Sequence, residues 1–489
     1  MSSPEPAPDD VLGRQVVDLI SRHFATLAEG PVFQPVPPGL ADRFRNAPPP
    51  RTGRSAERVM GEFVETVLPY PFGNGHPRFF GWVNSPPQPL GVYADALAAA
   101  MNPSVAGGNH AAVHVERQVV RWFCELAGLP DRAFGMLTSG GSMATLTALA
   151  GARHRAMDRV GIDVRAKGLQ AVGTTFALYV GSEGHGCAHK AAQLLGLGSD
   201  HVCIIPSDAD HRMKPDDLER QLDTDAAAGV VPIAVMATVG TVNTGAIDPI
   251  AAIADLCEER RIWLHVDGAY GGPAILLLER FRETLAALAR ADSIAMDPHK
   301  WMYTPVDAGL VIFRDGSAAR DAFSLVPAYL RTDGDEGGVA GPAWFSEYGF
   351  EQTRPFRALK VWMLLQHLGL DGYRELITKD IDLAHELARQ IRSTTDFRVL
   401  ADGLSICCFR AEPEGVPPDG LDDLNRALLT RIQLGGRAFV SGTTVDGRFA
   451  LRACIVNPGT TAEDINTLVA HLQEELRPLL AHQVPRLAH

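Results

Sequence analysis

A strand–helix–strand pattern near the middle of the chain constrains the fold more than any other feature of the sequence. The apolar run 233–238 predicts a buried strand, and Gly240–Gly245 predicts the turn after it. Asp248 and Pro249 predict a helix start, with Asp248 as N-cap and Pro249 in the first turn. A second strand is predicted over 262–266. Two strands joined through a helix pair in parallel with a right-handed crossover, so the chain belongs to the α/β class.

The same alternation of apolar runs and helical patterns predicts a large α/β domain over residues 86–360. Amphipathic helices with a few strands follow, which predicts a smaller α+β domain over residues 361–489. Both domains are expected to have sizeable buried cores, because 46% of the residues are hydrophobic.

The N-terminal segment, residues 1–85, is less regular. Residues 1–10 are expected to be disordered, and residues 11–27 have the apolar spacing of a helix. The prolines between 31 and 50 argue against a regular helix and favour an extended arm. This arm is either a flexible linker or a segment that packs on a partner subunit, and its apolar residues favour the partner subunit.

Charge and cysteine content limit the partners of the chain. Among 489 residues, 58 acidic and 45 basic side chains give a formal net charge of −13, which argues against a nucleic acid or an anionic membrane. No apolar stretch approaches the roughly 20 residues of a membrane span, and the start lacks the plan of a signal peptide. Seven scattered cysteines without a C-x-x-C pair argue against disulfides and against a metal site. We therefore expect a cytoplasmic enzyme.

The strongest chemical motif is Asp297-Pro298-His299-Lys300-Trp301, at the end of an apolar run. A lysine in such surroundings is expected to be buried, which disfavours its charged form and makes the amine a nucleophile for a Schiff base. The alternative is a lysine that forms an ion pair with Asp297.

A second motif places Asp267 at the end of the predicted strand 262–266, 33 residues before Lys300. The carboxyl ends of parallel strands are where α/β sheets bind ligands. A carboxylate and a lysine at neighbouring strand ends suit pyridoxal 5′-phosphate (PLP), whose ring nitrogen needs a negatively charged partner.

Two weaker motifs agree with this cofactor. The glycine- and serine-rich stretch 138–145 runs into a helical pattern, and a helix start of small residues can bind a phosphate, although many helices begin this way. It lacks the Gly-Lys-Ser/Thr of a P-loop, and no G-x-G-x-x-G suggests a nicotinamide cofactor. His185 precedes another predicted helix and is either a stacking partner for an aromatic cofactor or a structural histidine.

With these motifs in this order, the chain resembles the group II PLP-dependent amino-acid decarboxylases, which include aromatic L-amino-acid decarboxylase. The resemblance covers nearly the whole chain, and its matching stretches include 76–81, 240–249, 354–360 and 439–441. It implies PLP-dependent transferase fold type I, with a mostly parallel seven-stranded sheet, and a homodimer with active sites at the subunit interface.

The resemblance also implies roles for individual residues. Lys300 forms the Schiff base, Asp267 binds the ring nitrogen, and His185 stacks on the ring near the substrate carboxylate. The remaining implied cofactor contacts are to the phosphate, from Gly141, Ser142 and His299, and along the cofactor, from Thr241 and Ala269. Met143 and Ala308 depart from the common family residues, with little expected effect.

In this family a tyrosine on a mobile loop returns a proton to the substrate carbon after carbon dioxide is lost, and Tyr329 matches it. Glycines after Tyr329 suit a mobile lid. Relatives that form aldehydes carry phenylalanine at this place, so Tyr329 favours simple decarboxylation to the amine. Arg354 either assists catalysis or lid closure, or anchors the helix that follows it.

The substrate pocket is expected to include Trp82, Ser85, His185 and Tyr329. Glutamate-type relatives carry a polar pair after the 76–80 stretch, whereas this chain has Gly81 and Trp82. An indole wall favours an aromatic or bulky apolar L-amino acid. The alternative is that Trp82 belongs to the core.

Three other functions remain open at this stage. An oxidative, aldehyde-forming member of the family would share every cofactor residue. An aminotransferase or a cysteine desulfurase of fold type I would use the same lysine and aspartate, with Arg452 as a substrate-carboxylate ligand in a transaminase. A non-catalytic relative is disfavoured by the intact Lys300, Asp267 and His185.

Overall fold

The structure is a computed structural model that describes residues 8–73, 75–169, 173–325 and 341–483. The chain forms two compact units. The first comprises residues 1–82, 386–400 and 408–489, and the second comprises residues 83–385 and 401–407. These units differ from the three predicted segments, because the N-terminal residues share a unit with the C-terminal strands and most of the helix after residue 358 belongs with the large sheet.

The strands, in chain order, are β1 (Phe79–Phe80), β2 (Phe134–Thr138), β3 (Phe176–Gly181), β4 (Val202–Ile205), β5 (Val231–Thr238), β6 (Trp263–Asp267), β7 (Ser293–Met296), β8 (Gly309–Phe313), β9 (Phe397–Gly403), β10 (Ile406–Ala411), β11 (Phe439–Val445) and β12 (Arg448–Cys454).

The α-helices of the described residues are α1 (Pro8–Thr26), α2 (Pro38–Asn46), α3 (Ala56–Thr66), α4 (Pro89–Met101), α5 (Ala111–Leu126), α6 (Gly141–Arg159), α7 (Val164–Lys167), α8 (Cys187–Leu194), α9 (Pro215–Ala227), α10 (Ile250–Arg260), α11 (Gly272–Leu277), α12 (Arg282–Leu288), α13 (Pro298–Trp301), α14 (Ser317–Phe323), α15 (Ala358–Arg392), α16 (Leu421–Leu434) and α17 (Ala462–Gln483). Helix α15 is broken at Gly369, where φ is 63° and ψ is 173°.

The second unit is built on a seven-stranded sheet with the strand order β2-β8-β7-β6-β5-β3-β4. Strand β8 runs antiparallel to β2 and β7, and the other neighbouring pairs are parallel. The central strands are buried along almost their whole length, which is why they appear in the sequence as continuous apolar runs. The predicted mostly parallel seven-stranded sheet is confirmed.

A five-stranded sheet has the order β1-β11-β12-β10-β9, and most of its residues belong to the first unit. The two-residue strand β1 pairs in parallel with β11, with Phe79 opposite Phe439. Val32 packs against these two rings and is fully buried. The proline-rich segment therefore buries part of its apolar surface on its own chain.

Three local predictions were wrong. The expected disorder of residues 1–10 is contradicted for residues 8–10, because helix α1 begins at Pro8, while residues 1–7 lie outside the described residues. Helix α2 lies within the proline-rich segment, because Pro37 is its N-cap and Pro38 its first residue, where a missing N–H costs nothing. Asp248 is not the N-cap of α10. Pro249 takes that place, while the Asp248 carboxylate accepts hydrogen bonds from the N–H groups of Met213 and Thr238, each at 2.7 Å.

All seven cysteines are free thiols, and none of the described helices is long and apolar enough to cross a membrane.

Candidate active site

A cavity of about 390 Å³ lies at the carboxyl ends of strands β5 and β6 and beside the loops that follow β2 and β7. Its walls bring together seven of the residues predicted to act on the cofactor: Gly141, Ser142, His185, Asp267, Ala269, His299 and Lys300. These residues come from four separate stretches of the sequence. The sheet topology therefore assembles one site from motifs that are far apart in the chain.

Lys300 lies on the short helix α13, and its Nζ is 3.0 Å from Oδ2 of Asp297. Burial acts to lower the pKa of Lys300, but the carboxylates of Asp297 and Asp267 outweigh burial, and the net effect raises the pKa. The argument that burial alone favours the neutral amine was therefore wrong. Lys300 is an ammonium paired with Asp297 and must lose a proton before it can act as a nucleophile.

Asp267 is the last residue of β6, and the neighbouring strand β7 leads to Lys300. The residue opposite Asp267 in the sheet is Ala295, five positions before Lys300, so the carboxylate and the lysine do lie at adjacent strand ends. Oδ1 of Asp267 accepts the N–H of Ala269 at 3.0 Å. This bond orients a buried carboxylate towards the cavity wall, as a ring-nitrogen partner requires.

Asp297 is a site residue that sequence reasoning treated only as a competing partner of Lys300. It is 2% exposed, and its Oδ1 is buried without a hydrogen-bond partner among the described residues. A Cβ atom on Gly141 would lie 2.9 Å from Oδ2 of Asp297 and 3.0 Å from Cβ of Ala269. The glycine therefore keeps open the space between the phosphate-loop helix and this carboxylate. Asp297 directly precedes Pro298-His299-Lys300, and this position was the signal in the sequence that could have identified it.

The predicted phosphate loop connects β2 to the 19-residue helix α6. Gly140 is the N-cap, and no side chain caps the helix start among the described residues. The first N–H groups of a helix have no intrahelical acceptor, and here they belong to residues that line the cavity. A phosphate dianion suits this helix start, because the N–H groups and the helix dipole both favour negative charge.

His299 is held by the backbone of Ala308, the residue directly before β8. Its Nδ1 lies 2.8 Å from the carbonyl oxygen of Ala308 and 3.2 Å from the N–H of the same residue. These contacts come from the backbone of Ala308. The alanine side chain, which replaces the residue common in the family, therefore does not change how His299 is held.

His185 lies in the loop before α8, with its ring exposed at the cavity. Its Nδ1 accepts the N–H of Cys187 at 3.2 Å, so the neutral ring carries its proton on Nε2. Cys187 also lines the cavity and was missed by sequence reasoning. Burial raises the pKa of this thiol to about 12, so it stays protonated and is a poor nucleophile, which disfavours a desulfurase.

Thr241 is buried beside the cavity rather than on its wall, which is formed by its neighbours Gly240 and Val242. Its hydroxyl lies 2.9 Å from that of Thr244 and accepts the N–H of Ala246 at 3.1 Å. The side chain therefore shapes the turn that follows β5.

The residues predicted for the substrate pocket lie in different parts of the chain. Ser85, in the second unit, is buried, and its Oγ donates to the carbonyl oxygen of His299 at 3.2 Å. Trp82, in the first unit, has a φ of 49° and is 45% exposed. Tyr329 lies outside the described residues.

Trp82 is held in the first unit by an aromatic cluster and one arginine. Its indole stacks on Phe72 with ring centroids 4.8 Å apart, and Phe79 and Phe439 complete the cluster. Arg452 donates from a terminal nitrogen to the carbonyl oxygen of Trp82 at 3.0 Å. Arg452 therefore supports the backbone of Trp82.

Arg354 anchors the core of the second unit. It is 1% exposed, pairs with Oε1 of Glu116 at 2.5 Å, and donates to the carbonyl oxygens of Val105 and Leu137. These contacts join the segment before α15 to α5 and β2, so the role of Arg354 here is structural, but it is not the predicted anchoring of the helix that follows.

The cavity fits PLP on the evidence of these residues. It has a helix start without a side-chain cap for the phosphate, a buried carboxylate at the end of β6, and a lysine at the end of β7. Fold and site together define a PLP-dependent enzyme of fold type I.

The comparisons with known proteins make this assignment more specific. The sequence profile described as "pyridoxal-dependent decarboxylase conserved domain" matches residues 38–412, so the chain belongs to the PLP-dependent amino-acid decarboxylase family. Aromatic-L-amino-acid decarboxylase of Bacillus atrophaeus is 32% identical over 458 residues, which cover 93% of this chain and 92% of the relative.

Other relatives differ in reaction or substrate. 4-Hydroxyphenylacetaldehyde synthase of Rhodiola rosea is 28% identical over 95% of this chain and 94% of the relative. L-2,4-diaminobutyrate decarboxylase of Rhizobium meliloti is 31% identical over 96% of this chain and 92% of the relative. Among solved structures, Oryza sativa TDC with PLP and tryptamine superposes with a TM-score of 0.89 at 28% identity, over 98% of this chain and 100% of that chain.

Proposed function

We propose that this decarboxylase acts on an aromatic L-amino acid and releases the corresponding amine and carbon dioxide. The observation that carries the substrate class is the backbone of Trp82. A bulky residue with positive φ is strained, and such strain is concentrated at functional positions. An aromatic cluster and Arg452 hold Trp82 in this conformation while its indole stays half-exposed. The aromatic relative from Bacillus atrophaeus supports the same class.

In the proposed reaction the residues of the cavity divide the work of binding and orienting. When bound, PLP supplies a ring that accepts the electrons left behind as carbon dioxide departs. Asp267 would keep the ring nitrogen protonated, the start of α6 and His299 would hold the phosphate, and Lys300 would supply the amine that joins the cofactor to the chain. Asp297 takes part by holding the Lys300 ammonium at 3.0 Å.

His185 is proposed to orient the substrate. Its Nδ1 is occupied by the N–H of Cys187, so Nε2–H is the group that can donate to a substrate carboxylate. A donor at this place would fix the orientation of the substrate carboxylate while carbon dioxide is lost. His185→Asn is expected to weaken this orientation more than it weakens PLP binding.

The proton that completes amine formation is assigned to Tyr329. This assignment rests on the match to the family sequence around residue 329. The aldehyde-forming relative from Rhodiola rosea makes an oxidative outcome the second candidate, because it shares the family's cofactor chemistry.

We further propose a homodimer with its active sites at the subunit interface, in the cytoplasm. The N-terminal unit leaves apolar side chains on α1 and α2 and between them exposed, including Val17, Val36 and Phe44, and a second copy would cover such a surface. Seven free cysteines suit a reducing compartment.

The experiment that tests the proposed function incubates PLP-loaded protein with a panel of L-amino acids. Products are identified by mass spectrometry, and peroxide is assayed in parallel. We expect an amine from tryptophan, tyrosine, phenylalanine or DOPA without peroxide. Release of an aldehyde with peroxide would support the oxidative alternative, and an amine only from 2,4-diaminobutyrate or glutamate would refute the aromatic class.

A matched pair of variants tests the part played by Trp82. Trp82→Leu should lower kcat/KM for the best aromatic substrate about tenfold, since stacking on an indole contributes up to roughly 1.5 kcal/mol. The control is Trp362→Leu, which removes another partly exposed indole, one that donates to Gln118. Equal effects of the two substitutions would remove the support that Trp82 gives to the substrate class.

A further inference from the structure

Helix α15 places a carboxylate in the middle of its buried face. Tyr373, Ile377, Asp380, Ala384 and Leu387 recur at the helical spacing of three or four residues, and all of them are at most 1% exposed. Asp380 therefore occupies a position at which an apolar residue is expected. A buried carboxylate at such a position needs partners that offset the loss of water.

The partners of Asp380 flank the cofactor lysine along the chain. Oδ2 of Asp380 accepts the indole N–H of Trp301 at 2.9 Å and the hydroxyl of Tyr303 at 2.8 Å. Trp301 directly follows Lys300, and Tyr303 lies two residues further on. One carboxylate oxygen thus holds two side chains of the turn that begins at the lysine.

Both partner rings are also packed on further aromatic rings. Trp301 stacks on Tyr270 with centroids 5.0 Å apart and an interplanar angle of 19°, and Tyr270 lines the cofactor cavity. Tyr303 lies parallel to Tyr373, whose hydroxyl donates to the carbonyl oxygen of Met302. Three side chains therefore connect the cavity to helix α15, in the order Tyr270, Trp301 and Asp380.

The backbone at Tyr303 gives a second reason for a fixed anchor. Its φ is 52°, a left-handed conformation that costs a bulky residue energy. Such a conformation persists only where its surroundings determine it, and here the hydroxyl is held by Asp380 and the carbonyl oxygen accepts the N–H of Gln88 at 2.9 Å.

We propose that Asp380 is a positioning residue for the reaction: through Trp301 and Tyr303 it fixes the turn that carries Lys300, and so sets the place of the lysine amine relative to the cofactor. This inference rests on the proposed role of Lys300. Asp380 itself does not line the cofactor cavity, and Trp301 lies between Asp380 and the cavity residue Tyr270.

The charge state of Asp380 gives this role a recognisable signature. Burial raises the pKa of Asp380 to about 7, while the hydrogen bonds from Trp301 and Tyr303 act to lower it. The groups that face the carboxyl are these two donors, from the segment after β7, and Lys379 on its own helix. Its second oxygen is buried without a hydrogen-bond partner among the described residues. Ionisation near neutral pH strengthens both hydrogen bonds, because charge-assisted bonds are stronger.

Three variants separate positioning from simple stability. Asp380→Asn keeps one oxygen that can accept from both donors but cannot ionise. Asp380→Leu removes the acceptor and leaves two buried donors unpaired. The control is Asn425→Leu in the other unit, a fully buried amide that bonds to the backbone of Ala411 and Leu421.

The first readout is the dissociation constant of PLP, measured by titrating each apo-protein, beside its thermal unfolding temperature. We expect Asp380→Leu to weaken PLP binding about tenfold or more, since small displacements of a reacting group have effects of this order. Asn425→Leu is expected to lower the unfolding temperature comparably but to change PLP binding less than about twofold. Equal effects of both variants on PLP binding would overturn the proposal.

The second readout is the pH profile of PLP attachment to Lys300, trapped with borohydride. Wild-type protein should show a titration near pH 7 that is missing in Asp380→Asn, a difference that remains measurable even if Asp380→Leu fails to fold. Identical profiles would contradict the proposal. If wild-type protein and Lys300→Ala trap PLP equally, the proposed role of Lys300 fails instead.

Discussion

The substitution Arg354→Met should lower the free energy of unfolding of the second unit far more than a surface substitution does. Arg354 and Glu116 are 1% and 0% exposed, and the guanidinium donates to Glu116 and to two backbone carbonyl oxygens. Arg354→Met leaves the Glu116 carboxylate buried, with the N–H of Leu137 as its one remaining donor among the described residues. Removal of one partner from a buried ion pair costs about 3–5 kcal/mol.

A loss of this size corresponds to a fall in Tm of about 5–8 °C for a unit of this length, since the unfolding entropy is about 2.1 cal/mol/K per residue. Calorimetry and denaturant titration of the PLP-free protein measure it. The matched double variant Arg354→Met with Glu116→Gln should recover more than half of the loss, because no buried charge is then left unpaired. A loss below about 1 kcal/mol, or a double variant as unstable as the two single losses added together, would refute this reasoning.

Three further predictions concern Gly141, Asp248 and Tyr329. Gly141→Ala should weaken PLP binding, because the added Cβ would lie 2.9 Å from Oδ2 of Asp297; fluorescence titration measures this, and unchanged affinity would show that the helix start can shift. Burial raises the pKa of Asp248 to about 6 from an ordinary 3.8, so the folded state binds the proton more tightly, and the contribution of Asp248 to stability should fall by about 3 kcal/mol as pH rises from about 4 to 6. Chemical denaturation at several pH values should show a smaller fall in unfolding free energy with pH for Asp248→Asn than for the wild-type protein. An equal fall in both proteins would contradict the raised pKa of Asp248. Tyr329→Phe should reduce amine formation and release peroxide, as coupled product assays will measure; undiminished amine output would remove Tyr329 from the mechanism.

The residues found from the sequence were those whose role follows from local pattern. Asp267 and Lys300 each end an apolar run, and an apolar run followed by a chemical residue identifies a strand end in an α/β protein. The prediction that Asp267 and Lys300 lie at neighbouring strand ends is confirmed, because Asp267 pairs with Ala295 on the strand that leads to Lys300. Family resemblance supplied the roles that spacing alone left open.

The residues missed or misassigned depend on contacts between distant segments. Arg354 and Glu116 lie 238 positions apart, and Trp301 and Asp380 lie 79 apart, so neither pair has a local signature. Asp248 had the sequence of an N-cap, yet its carboxylate binds the N–H groups of Met213 and Thr238. The ion pair with Asp297, the alternative considered for Lys300, is the arrangement in the structure, and only the second carboxylate, Asp267, comes from a distant segment.

The central claim is that Lys300 joins this chain to PLP in the cavity at the ends of β5 and β6. Its most direct test is borohydride reduction of the PLP-loaded protein, followed by digestion and mass spectrometry of the peptides. We predict that the cofactor is found on the peptide that contains Lys300 and is absent from the Lys300→Ala protein. Cofactor on another lysine, or equal labelling of both proteins, would contradict the account.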